Sequence, residues 1–154
     1  MSVDRKFEVF RPTLDRLVRA SIEVGNLGLI NPLNVSPAPL VDGELLQMVG
    51  GKWVRGTNAD LPAFFNLEDR GDIGVQATRK MAAIVGGGAF WINTPLFASA
   101  LTTEGTQVKL GAVTIDGIAR AALVAQGGSG LIIGYVMKPP ALNGGRLQVL
   151  VTRN

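Results

Sequence analysis

Residues 44–55, which read ELLQMVGGKWVR, decide the fold class of this 154-residue chain. Two apolar-rich runs, residues 44–49 and 52–55, flank the pair Gly50-Gly51. A two-residue glycine loop favours a hairpin turn with positive φ at both positions, because glycine has no Cβ to clash there. The pattern therefore predicts a β-hairpin.

Short apolar runs separated by turn residues continue from this hairpin to the C-terminus. The predicted strands include residues 63–67, 80–85, 89–93, 107–114, 118–121, 131–136 and 146–151. Turn signals recur about every 8–12 residues with no convincing helix between them, which is typical of an all-β domain. Residues 42–154 are therefore predicted to form a small β-barrel or sandwich.

Residues 1–41 are predicted to form an N-terminal arm. The sequence allows a short helix at residues 13–20, followed by extended backbone that the three prolines between residues 26 and 39 impose on themselves and their predecessors. Apolar side chains of the extended part need a surface, either the barrel of the same chain or a neighbouring subunit, and the sequence leaves both open. Leu27, Leu29, Ile30, Leu33 and Val35 are therefore the predicted contact residues of the arm.

Composition argues against catalysis. The chain has no histidine and no cysteine, which removes the commonest general base, the commonest transition-metal ligand and every thiol nucleophile. The glycine clusters at 86–88 and 127–130 precede strands and lack the lysine of a phosphate loop, so they are interpreted as hairpin turns. The acidic group Glu68, Asp69 and Asp72 is interpreted as a solvated turn rather than a Ca²⁺ site. We therefore expect no enzyme activity, no cofactor, no metal and no small-molecule substrate.

Charge and hydropathy patterning argue against nucleic-acid and membrane partners. The net charge is +3, but residues 1–76 carry −2 and residues 77–154 carry +5, with no basic run in either half. The basic residues of the second half, such as Lys109, Arg120 and Arg146, are interpreted as isolated surface charges. Residues 81–103 are uncharged, yet glycines 86–88 and Pro95 interrupt any membrane helix. No secretory signal is evident, so synthesis in a cytoplasm is expected.

Several segments of the second half resemble one family. Residues 108–120 (VKLGAVTIDGIAR), 134–140 (GYVMKPP) and 144–151 (GGRLQVLV) are similar to the closing β-barrel of head decoration, or cement, proteins of tailed bacteriophages. Residues 72–85 resemble the strand that precedes the barrel in the same family. The resemblance covers about 80 of the 154 residues and lies in the order of glycine turns and aliphatic strands.

The resemblance implies a virion structural protein that binds the outer surface of the mature capsid and bridges capsomers. The implied partners are the major capsid protein and a second or third copy of this chain, as a dimer or trimer. The resemblance thus implies capsid or inter-subunit contacts for Leu27, Leu29, Ile30, Leu33 and Val35. The implied location is the capsid exterior after assembly in the host cytoplasm. Two alternatives stay open. One is another phage structural subunit, such as a tail-tube, head-completion or fibre-base protein. The other is a small β-barrel enzyme or ligand-binding domain.

Overall fold

A computed structural model describes residues 7–10, 18–23, 40–67, 80–86 and 89–152. These residues form eleven strands and one short 3-10 helix, Pro140–Leu142. The strands are β1 (Glu8–Phe10), β2 (Val18–Glu23), β3 (Leu45–Val49), β4 (Lys52–Arg55), β5 (Phe64–Phe65), β6 (Lys80–Gly86), β7 (Phe90–Thr94), β8 (Gln107–Ile115), β9 (Ile118–Ala125), β10 (Gly134–Lys138) and β11 (Leu147–Val151). The all-β prediction is confirmed.

The strands form two layers. The main sheet has the order β1-β7-β11-β10-β8-β9, and every pair in it is antiparallel. The second layer consists of the pair β2-β6 and the three-stranded sheet β4-β3-β5. An antiparallel bridge between Asn66 and Ala83 connects these two parts. The two layers share one apolar core and no closed barrel forms among the described strands, which is consistent with a sandwich.

Alternation along the strands explains why a core forms between the layers. In β11, Leu147, Val149 and Val151 are buried, while the residues between them are half-buried. These side chains pack in one cluster with Leu45 of β3 and Ile84 of β6 from the other layer. Burial of such apolar side chains is the main favourable contribution to folding. A second, smaller cluster contains Leu40, Leu46, Trp53 and Ala83.

The predicted β3–β4 hairpin is confirmed. Leu46 pairs with Arg55 and Val49 with Lys52, around Gly50 and Gly51. The two glycines have φ values of 59° and 76°, as a turn of this kind requires. The hairpin follows from local sequence alone.

The N-terminal part of the chain differs from the predicted arm. Phe7 is buried and stacks on Phe65 with ring centroids 5.6 Å apart, and β1 pairs with β7 at the edge of the main sheet. Residues 18–20 lie in β2, paired with β6, so the last part of the short helix predicted at 13–20 is wrong. Pairing with a distant strand overrides the weak helical pattern there, and residues 13–17 lie outside the described residues.

The connection between β9 and β10 also differs from the sequence prediction. The predicted strand at 131–136 begins only at Gly134, and the turn at Gly127-Gly128 does not close a hairpin, because β8 lies between β9 and β10. Leu131 bonds outside the sheet, since its N–H donates to the Ala59 carbonyl at 2.8 Å, whereas the Ile133 N–H already donates to Val108 of β8 at 2.8 Å. The turn itself is present at the predicted glycines.

Candidate functional site

Most residues that the sequence singled out for contact or metal binding lie outside the described residues. This is the case for the predicted contact residues Leu27, Leu29, Ile30, Leu33 and Val35, and for the acidic group Glu68, Asp69 and Asp72. The described residues instead bring together two polar clusters that the sequence did not predict. Both clusters contain a glutamate and at least one arginine.

The first cluster is built around Glu44, at the end of the turn that leads into β3. Asn66 holds this turn: it accepts a hydrogen bond from the Gly43 N–H at 2.8 Å and donates its own N–H to the Glu44 carbonyl at 2.9 Å. Its side-chain amide donates to the Val41 carbonyl at 2.9 Å. Gly43 has a φ of 86°, and an added Cβ would overlap the ring of Phe7, so the turn requires glycine. The turn directs the Glu44 side chain inward.

Two arginines from different layers converge on the Glu44 carboxylate. Arg55 of β4 donates from Nε to Oε2 and from Nη2 to Oε1, the latter at 3.3 Å. Arg120 of β9 donates from Nη1 to Oε1 at 3.2 Å. Two backbone N–H groups complete the set, Val41 to Oε1 at 3.2 Å and Ala121 to Oε2 at 3.1 Å. Glu44 and Arg55 are completely buried and Arg120 nearly so.

This geometry makes the Glu44 cluster a cross-link between the layers. A general base must reach the proton that it removes within hydrogen-bond distance. Both oxygens of Glu44 are already occupied by five donors, and its side chain has no exposed surface. A charged, fully hydrogen-bonded group of this kind stabilises one arrangement of the strands around it.

A buried amide organises the neighbouring loop. The Gln47 side chain accepts from the Thr57 and Asn58 N–H groups at 3.0 and 3.1 Å. Its Nε2 donates to the carbonyls of Asn58 and Leu61 at 2.6 and 3.1 Å. All four hydrogen bonds are made to backbone groups of the loop after β4. The Gln47 side chain therefore stabilises this loop, and its polar atoms are not left for a ligand.

The second cluster lies near the surface of the main sheet, across β1, β7 and β11. Arg146 donates from Nη1 to Glu8 Oε1, and the Asn93 side chain donates to the same oxygen at 3.4 Å. Asn93 Oδ1 in turn accepts from Asn143 at 3.0 Å and from Gln148 at 3.2 Å. The hydrogen bond from Arg146, followed by that from Asn93, holds the pKa of Glu8 below its ordinary value. These side chains join the N-terminal strand to the C-terminal one.

An apolar row lies next to this polar cluster on the same sheet. Strand register places Phe10 opposite Trp91, Trp91 opposite Leu150, and Leu150 opposite Tyr135. The rings of Phe10 and Trp91 stack with centroids 6.4 Å apart. Phe10 is exposed and the other three side chains are half-buried. A row of this kind suits contact with another macromolecule better than chemistry.

Further apolar side chains are exposed at loops and strand ends. Met48 and Val49, at the end of the β3–β4 hairpin, are 46% and 62% exposed. The other large exposed apolar residues of the described ranges are Leu61, Leu131, Met137 and Leu142. Single exposed apolar residues are normal, and Met48 and Val49, as consecutive residues of a strand, point to opposite faces, so this hairpin end offers apolar area on both faces.

The sequence interpretation missed both clusters. Arg120 and Arg146 were expected as surface charges, whereas Arg120 is buried and Arg146 is half-buried, and each is paired with a glutamate. The available signal was a single arginine between alanines in an apolar run, Ala119-Arg120-Ala121. A charge in such a run is almost never fully buried without a partner, but the sequence does not say which carboxylate supplies it.

No group of acidic side chains suited to a metal ion occurs among the described residues. The same part of the chain has no helix of the length and apolarity that crossing a membrane would need. No protein-family model matches the chain, no curated protein matches it, and no solved structure matches it.

Proposed function

We propose that this chain is a virion structural protein that binds the outer surface of a mature phage capsid and stabilises the shell by bridging capsomers. The observation that carries the proposal is the different placement of charged and apolar side chains among the described residues. The buried charged groups Glu44, Arg55 and Arg120 are bonded to one another, while apolar side chains are exposed at loops and strand ends.

Such a surface suits docking without chemistry. A shell-binding protein works by burying apolar area and forming backbone hydrogen bonds across a joint between subunits. Met48 and Val49 at the end of β3–β4 and the row from Phe10 to Tyr135 offer such area on two different parts of the chain. The order of glycine turns and strands in residues 108–151, which resembles decoration proteins, supports the same proposal.

Co-sedimentation with cognate phage heads tests the proposal. Mature expanded shells and unexpanded precursor shells would be compared over a range of protein concentrations. We expect saturable binding to expanded shells alone, because maturation would create the docking surface. Binding to both shells with the same affinity, or to neither, would overturn the proposal.

The salt dependence of binding supplies the control against nonspecific adsorption. The chain carries a net charge of +3, so weak electrostatic adsorption to an acidic shell would disappear at 1 M salt, where the Debye length is about 3 Å. Docking through apolar contacts should persist at that salt concentration. Rings or tubes formed by the isolated protein, together with no shell binding, would point instead to a tail-tube, head-completion or fibre-base subunit.

A further inference from the structure

The outer half of the β8–β9 hairpin extends beyond its neighbour in the main sheet. β8 pairs with β9 over its whole length, from Val108 opposite Ala125 to Ile115 opposite Ile118. β10 pairs with β8 only at Gln107 and Val108. From Leu110 to the turn at Asp116-Gly117, no described strand pairs with the other side of β8. We call residues 110–115 of β8 the open edge.

Hydrogen bonds on both sides show which backbone groups face the open edge. The Val108 carbonyl accepts from Ile133 on the β10 side, whereas the Gln107 carbonyl accepts from Gln126 on the β9 side, both at 2.8 Å. Alternate residues of a strand share a direction, so Ala112 and Thr114 point their N–H and carbonyl groups away from β9.

The hydrogen bonds of β9 support this orientation of Ala112. Ala121, the partner of Ala112, donates its N–H to Glu44 and therefore away from β8. Within the described ranges, no hydrogen bond reaches the backbone of Ala112 or Thr114 on the open side. Both residues are exposed, so a second strand could reach them.

Other edges of the main sheet are protected. β1 has only three residues, which limits the template that it offers. The far edge of β9 is covered: Leu123 donates to the Leu96 carbonyl at 3.3 Å and accepts from Ala98 at 2.9 Å. The open edge lacks three usual safeguards, since residues 110–115, LGAVTI, carry no charge and no proline, and the pairing with β9 has no bulge.

We propose that the open edge pairs with the open edge of a second copy of this chain, antiparallel about a twofold axis at Val113. In this register Ala112 of each copy lies opposite Thr114 of the other. The two pairs exchange four backbone hydrogen bonds, and the two six-stranded sheets become continuous. A twofold axis makes the contact self-complementary and closed, which yields a dimer rather than a filament.

The charges that flank the open edge favour antiparallel pairing with a second copy of this chain. Lys109 precedes the edge and Asp116 follows it. Antiparallel pairing places Lys109 of one copy beside the Asp116 turn of the other, whereas parallel pairing would place like charges together. The side chains that meet on the axis are neutral, so no like-charge repulsion opposes association. The pairing does not depend on shell binding, and each can fail while the other holds.

Sedimentation velocity of the full chain over a concentration series tests the pairing. We expect a reversible monomer–dimer equilibrium, and the Ala112→Pro variant should weaken the dimer about tenfold or more by removing two of the four hydrogen bonds. Proline is tolerated there because the Ala112 N–H makes no bond to β9. Ala112→Ser keeps the N–H and is the matched control, expected to dimerise like the original chain. A chain that stays monomeric, or an Ala112→Pro dimer of unchanged affinity, would overturn the proposal.

A charge exchange on the axis gives a second test that does not depend on proline. The twofold axis places Val113 of one chain opposite Val113 of the other. Val113→Lys and Val113→Glu should therefore each abolish the dimer through like-charge repulsion. An equimolar mixture of the two variants should restore a 1:1 heterodimer, which misfolding could not produce. Failure of the mixture to associate, with both variants showing an unchanged urea midpoint, would contradict the axis at Val113.

Discussion

Glu44 and Glu8 each accept hydrogen bonds from an arginine that is distant in sequence, but their surroundings are opposite. The Glu44 side chain has no exposed surface and is bonded to two arginines, one of which is also completely buried. The Glu8 side chain is 44% exposed and its partner Arg146 is 25% exposed. The first pair of charges lies between the layers of the sandwich, and the second lies near the outer surface of one sheet.

The difference decides how much each cluster contributes to stability. An exposed ion pair gains little, because water already solvates both charges and salt screens them. A buried pair need not be more favourable than apolar residues of the same size, but removing one partner leaves an uncompensated charge in the interior. We therefore expect the two glutamates to respond very differently to the same substitution.

Glu44→Gln should have the largest effect. The change removes the negative charge between Arg55 and Arg120 and leaves two guanidinium groups buried beside a neutral amide. We expect a loss of about 3–5 kcal/mol in the free energy of unfolding. Urea denaturation followed by tryptophan fluorescence would measure it, because Trp53 is completely buried. A loss below about 1 kcal/mol would show that the cluster is not a cross-link.

Arg120→Met should have an intermediate effect and sharpen the comparison inside the Glu44 cluster. It removes one hydrogen bond to the carboxylate but leaves Arg55 and both backbone donors in place, so the remaining charges still balance. We expect a loss of about 1.5–3 kcal/mol, the range for a hydrogen bond to a charged group. A double-mutant cycle with Glu44→Gln would show coupling between the two residues. Additive losses would contradict a shared network.

Glu8→Gln should cost only about 0.2–1 kcal/mol, because its ion pair is exposed to water. The same denaturation experiment would be run in low salt and in 1 M salt, where the difference from the unaltered chain should become smaller. The substitution is also the matched control for Glu44→Gln, since both replace a glutamate by its amide. Equal losses in the two variants would show that burial does not decide how much each cluster contributes to stability.

The comparison also shows which features a sequence can predict. The β3–β4 hairpin is encoded locally, because Gly50-Gly51 permits the turn that the flanking runs require. The partner of Arg120 is 76 residues away, and that of Arg146 is 138 residues away, so no spacing or periodicity signals either contact. The pairing of β1 with β7 also joins residues far apart in sequence, such as Glu8 and Asn93, which is why residues 8–10 were predicted as part of an arm.

The candidate contact surfaces also depend on contacts between residues that are distant in sequence. A strand prediction for residues 107–114 gives the alternation of side chains but not which neighbour pairs with each side of β8. The open edge becomes visible only when the sheet order places β10 beside the first two residues of that strand. Similarly, the row from Phe10 to Tyr135 depends on register between four strands that are not consecutive in sequence.

The pH dependence of stability should show the smallest effect and separate Glu8 from the other carboxylates. Arg146 and Asn93 hold the pKa of Glu8 below its ordinary value of 4.5, so the folded chain binds this proton more weakly than the unfolded chain does. The contribution of Glu8 is therefore fully present above pH 4.5 and is lost as the pH falls through the lower pKa of the folded state. The difference in unfolding free energy between the unaltered chain and Glu8→Gln should shrink over that interval. Since glutamine does not titrate, a difference that stays constant down to pH 2 would mean that the Arg146 hydrogen bond does not hold the Glu8 charge.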